Sequence, residues 1–106
     1  MIFLIKRSIK HFYQRLFLGF DDSETWSLDC TIAKFIYPRL IRLKQVSCAT
    51  PGNVNSNEEW NEILDDMIYA FKTISEDVFY QSNKHQVERV DKGLDLFRKY
   101  YFNLWW

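Results

Sequence analysis

Ser56-Asn57-Glu58-Glu59-Trp60-Asn61-Glu62-Ile63-Leu64-Asp65-Asp66-Met67-Ile68-Tyr69-Ala70-Phe71-Lys72-Thr73-Ile74 opens with a helix-start signal and keeps a helical period to its end. Ser56 and Glu59 match a capping box, in which the Ser hydroxyl and the Glu carboxylate each take a backbone N–H that the first turn leaves unpaired. Trp60, Ile63, Leu64, Met67, Ile68, Phe71 and Ile74 then recur at spacings of three and four, the period of one helix face. Glu58, Glu62, Asp65 and Asp66 occupy the remainder. The stretch predicts a helix over 57–74 with one buried face, which needs other helices to cover it.

Three more segments share this period. Ile2, Ile5, Ile9, Phe12 and Leu16 mark a helix over 2–18, basic on its other positions and ended by Gly19. Such a basic amphipathic helix also suits a membrane surface, although a surface helix of a globular domain looks alike. Asp21-Asp22-Ser23-Glu24-Thr25 announces a second helix, over 24–45, with acids at its positive end. Pro38 lies inside it, removes a backbone donor and crowds the preceding turn, so this helix should be kinked or broken there. Val87, Val90, Leu94, Phe97, Tyr101 and Leu104 mark the last helix, over 84–104, in which Gly93 permits a close helix approach. Residues 46–57, with the turn pair Pro51-Gly52, form the clear loop. The expected fold is all-α: a compact bundle of about four helices in a single domain, 1–106.

Composition narrows function. The chain has 106 residues and no net charge, but residues 1–50 carry eight basic and four acidic side chains while residues 51–106 carry six and ten. Zero net charge argues against binding long duplex nucleic acid. No run reaches the ~20 apolar residues of a membrane span. The apolar start precedes Lys6 and Arg7 rather than following them, the reverse of a secretory leader, so the cytoplasm is the expected location. Cys30 and Cys48 belong to no metal-spaced pair and read as reduced, mostly buried thiols. No nucleophile elbow, phosphate loop or paired-histidine motif is present, and His11 and His85 read as surface side chains. We therefore expect no catalytic residues, no metal and no cofactor. Glu62 and Asp66, four apart on one face, are at best part of a cation site.

Nine Phe, six Tyr and four Trp are more ring surface than so short a chain readily hides. Lys34, Arg39 and Arg42 cluster along the second helix, where forked guanidinium groups suit phosphate and Trp26 or Trp60 would stack on a base. Phe97, Tyr101, Trp105 and Trp106 are the candidate interface residues, because Trp and Tyr dominate binding hot spots.

Three stretches together, Trp26-Ser27-Leu28-Asp29 to Tyr37-Pro38-Arg39-Leu40, Glu58 to Phe71, and Gly93-Leu94-Asp95-Leu96-Phe97 to Leu104-Trp105, resemble a group of small bacteriophage proteins. The resemblance covers most of residues 20–105 and carries Trp26, Asp29, Pro38, Arg39, Glu59, Trp60, Asp65 and Met67. Some of these are structural in that view: Asp29 or Asp65 paired with Arg39 would fix the helix crossing, with Trp60 packed beneath. The resemblance implies a protein of the host bacterial cytoplasm that antagonises defence without catalysis. It would sequester a small nucleotide signal, as a homo-oligomer. Alternatives are a protein–protein inhibitor working through an exposed aromatic face, and a metal-dependent nucleotide-degrading enzyme using Glu62 and Asp66.

Overall fold

The computed structural model describes residues 2–47, 50–76 and 83–105, so Cys48 and Trp106 lie outside the described residues. The chain is an all-α helical bundle, with no strand among the described residues. Its helices are α1 (Ile2–Leu18), a one-turn α2 (Ser23–Trp26), α3 (Leu28–Val46), α4 (Asn57–Ser75) and α5 (Lys84–Lys99), followed by a 3₁₀ turn at Tyr101–Asn103.

α4 is the centre. Ser56 caps it, its hydroxyl accepting from the Glu59 N–H at 3.1 Å. The Glu59 carboxylate reaches back one residue further than a capping box requires, to the Asn55 N–H at 3.1 Å. Trp60, Leu64, Met67, Ala70 and Phe71 are buried along its length. α3 packs on one flank and α5 on the other, both antiparallel to α4. Ala33, Leu40, Val54 and Tyr100 complete the core, with Val54 contributed by the loop after α3. Cys30 is buried, its thiol 3.4 Å from the Ile74 carbonyl oxygen. At Gly93 the two helices touch so closely that a Cβ would stand 2.4 Å from the Asp66 carbonyl oxygen and 2.5 Å from the Ala70 Cβ.

The helix expected to be kinked or broken near Pro38 is not broken there. α3 continues as helix through Pro38, and the break lies at Ser27, whose backbone (φ −125°, ψ 68°) separates α2 from α3. Pro38 offers no N–H to the Lys34 carbonyl four residues back; one position on, the Arg39 guanidinium donates to the Phe35 carbonyl at 2.8 Å. The last helix ends at Lys99 rather than 104, and the chain tightens into the 3₁₀ turn beyond Tyr100.

α1 ends at Gly19 in the left-handed conformation (φ 80°), as the sequence suggests. It lies outside the α3–α4–α5 packing and is tied to the segment 21–26. Asp21, only 2% exposed, accepts from Arg15 Nε at 2.5 Å, from the Ser23 N–H at 2.9 Å and from the Ser23 hydroxyl. Lys10 pairs with Asp22 at 2.8 Å, and the Asp22 N–H donates to Gln14 at 2.8 Å. The Ser23 and Arg15 hydrogen bonds hold the Asp21 carboxyl down to about 2, below the ordinary carboxylate range.

Candidate functional site

Along α3, Leu28, Ile32 and Phe35 are exposed at helical spacing, on the side away from the buried Ala33 and Leu40, and Arg39 and Arg42 continue the same line. Toward its C-terminal end this line meets Phe97, Tyr101 and Leu104, which arrive from α5 and the turn after it. Between them runs an open groove of about 420 Å³, floored by Ile36, Leu40 and Leu43. It forms because α3 and α5 each pack on α4 rather than on one another, leaving a furrow above it.

The groove gathers two sets of residues that the sequence suggests separately. Arg39 and Arg42 come from the expected phosphate-binding group, Phe97 and Tyr101 from the expected interface. Arg39 stacks on the Phe35 ring (3.7 Å) while bonding its carbonyl, and Arg42 reaches Gln45 at 3.2 Å. Among the described residues neither has a carboxylate partner. The expected pairing of Arg39 with Asp29 or Asp65 is not made, and Asp65 pairs with Lys44 at 2.7 Å instead. Phe97 is half-buried, its ring edge-on to Phe71 (4.8 Å) and Tyr101 (5.7 Å). Tyr101, Phe102 and Trp105 are exposed and extend ring surface past the groove's end.

Three expected ligand residues lie elsewhere. Trp60 is 3% exposed and edge-on to Tyr100 at 5.4 Å, a core ring with no face to offer a base. Trp26 is well exposed but sits in α2, before the break at Ser27, and Arg39 lies roughly 16 Å along α3 from its first residue. Trp26 is covered by Arg7, 4.1 Å above the ring, and by His11, edge-on at 5.8 Å. His11 is thus a packing residue, not a bare surface side chain. Lys34 is exposed but is not part of the groove wall. Phe35 and Leu104 also line the groove, outside the residues expected from the sequence. The signal for Phe35 was its place one turn before Arg39 on an α3 face that Ala33 and Leu40 leave outward.

Asp66 receives Arg89 at 3.6 Å and Lys92 at 3.3 Å from α5, so its charge ties α4 to α5. No group of three His, Cys, Asp or Glu able to hold a metal is found among the described residues. No helix among them is long and apolar enough to cross a membrane. Comparison of the chain with protein-family models, curated proteins and solved structures finds no match.

Proposed function

We propose that the chain is a non-catalytic binding protein whose α3–α5 groove holds a small anionic ligand bearing a flat ring. A nucleotide of the kind implied by the bacteriophage resemblance fits this description, and sequestering it would withdraw a host defence signal. One observation carries this reading: Arg39 and Arg42, without carboxylate partners among the described residues, stand at an apolar, ring-walled groove. Its volume falls in the range of small-molecule sites, roughly 300–1,000 Å³. Guanidinium forks suit phosphate oxygens, and Phe35, Phe97 and Tyr101 supply ring surface for a base.

Titration calorimetry against mono-, di- and cyclic nucleotides tests it. We expect one ligand class to bind at micromolar affinity or tighter, with at least a tenfold loss in Arg42→Ala, whose guanidinium hydrogen-bonds Gln45 and lines the groove. Ligand recovered intact after heating separates sequestration from degradation. Absence of heat with every nucleotide defeats the reading. The exposure of Phe102 and Trp105 beyond the groove favours a second reading, docking onto a host protein through the aromatic surface. One stoichiometric host partner, lost in Trp105→Ala, with no nucleotide response, would select it.

A further inference from the structure

α1 is attached to the molecule by its polar side. Arg7, Lys10, His11, Gln14 and Arg15 face the segment 21–26, through ion pairs, a hydrogen bond and the Trp26 ring. At 100° per residue, Ile5, Ile9, Phe12 and Leu16 fall on the opposite side, with Tyr13 and Phe17 at its edge. All six are more than half exposed, from 51% at Ile9 to 75% at Phe17. The usual arrangement of an amphipathic helix is thereby inverted, with the charges turned inward and the apolar stripe turned out.

We propose that this stripe is the contact with a second copy of the chain, in which two α1 helices pair antiparallel across Ile9. Two observations select that occupant. The first is area. The six side chains expose on the order of 700 Å², above what monomers commonly leave in one patch and close to the ~800 Å² per partner of a standard interface. The second is charge. α1 carries no carboxylate and so looks suited to an anionic bilayer. Yet Lys10 is paired with Asp22, Arg15 with Asp21 and Glu24, and Arg7 lies over Trp26. The segment that binds α1 thus meets Lys10 and Arg15 and seats Arg7 on a ring, and Lys6, exposed at the stripe's edge between Tyr13 and Phe17, is the one α1 cation with no such contact among the described residues, so the outward face is mainly apolar. For the same reason two such faces can meet without strong repulsion. The stripe is self-complementary: with Ile9 on the two-fold axis, Ile5 of one helix falls beside Phe12 and Tyr13 of the other, as an isologous contact requires. The partner copy then covers α1, which this chain's own core leaves bare.

This goes beyond the groove and is tested apart from it. Sedimentation velocity of the full chain at tens of micromolar should show a species of twice the single-chain mass. Ile9→Asp with Phe12→Asp should return the single-chain mass at unchanged helical circular dichroism, and Tyr101→Ala should leave the dimer intact. Should the double substitution lower the helix content, Leu16→Gln answers the same question by weakening the dimer at least tenfold. A wild-type monomer at 100 µM overturns the proposal, as does a dimer that survives both sets of substitutions. A chain that is monomeric in solution but floats with vesicles of anionic phospholipid also overturns it and assigns the stripe to a bilayer. Loss of nucleotide binding with the dimer retained would count against the groove alone.

Discussion

Gly93 and Asp21 show how single positions set the architecture. In an isolated helix, Gly93→Ala would gain up to about 1 kcal/mol in helix propensity. Here the added Cβ meets the Asp66 carbonyl oxygen at 2.4 Å and the Ala70 Cβ at 2.5 Å, backbone and a methyl with no rotamer to yield. α4 and α5 must separate, and overpacking of this kind costs about 1–3 kcal/mol. We expect Gly93→Ala to lower the urea midpoint in equilibrium unfolding. Asp21 acts through charge. Its carboxyl titrates at about 2 when folded, because Ser23 and Arg15 bond its ionised form, and near 4 when unfolded. The stabilisation is therefore complete above about pH 4 and is lost as pH falls through about 2. Asp22 shifts in the same direction, through its hydrogen bonds with Lys10 and Gln14. Following the Arg15 Nε–H resonance by NMR should show the bonded position persisting down to pH 3 and collapsing near 2. In Asp21→Asn the bonded position should be lost at neutral pH.

At the scale of elements, the stripes of α4 and α5 were legible because period and burial agree where a helix packs on one side, whereas α1 keeps the period but turns its apolar residues outward. Ser56 and Gly19 were legible because caps and stops are local chemistry. The break at Ser27 was not. Asp21 to Thr25 reads as the start of one long helix, whereas these residues serve Arg15 and Lys10 on another element, which no local pattern reports. Trp60 was half legible: its place on the α4 stripe pointed to the core, while its ring chemistry pointed to a ligand, and burial decided between them. The groove was visible only in halves, since Arg39 and Phe97 lie 58 positions apart and meet through α4. A local signal that passed unread is Asn83-Lys84-His85-Gln86. Asn83 accepts from the Gln86 N–H at 2.9 Å, and Gln86 accepts from the Asn83 N–H at 3.0 Å, a full capping box on α5. Asn83→Ala should cost about 1 kcal/mol in a denaturant melt, with the loss concentrated in unfolding of α5.

The whole molecule joins a packed unit to an arm. Its Cα radius of gyration is 17.2 Å, with extents of 58 × 33 × 19 Å, against about 13 Å for a compact chain of this length. α3, α4 and α5 share one apolar core, whereas among the described residues α1 is held by ion pairs and ring contacts to the segment 21–26. Those two kinds of attachment respond differently to solvent. Salt at 1 M shortens the screening length to about 3 Å and weakens exposed charge pairs, but leaves apolar burial intact or strengthened. In hydrogen exchange, amides of α4 should open only with global unfolding, and those of α1 well before it. For an isolated chain, 1 M NaCl should speed α1 exchange further with α4 unchanged. For a chain paired through Ile5, Ile9, Phe12 and Leu16, α1 protection should instead rise with protein concentration and survive the salt. Exchange measured at two salt and two protein concentrations thus reads which attachment governs the arm: the carboxylates of its own chain, or the apolar stripe of another.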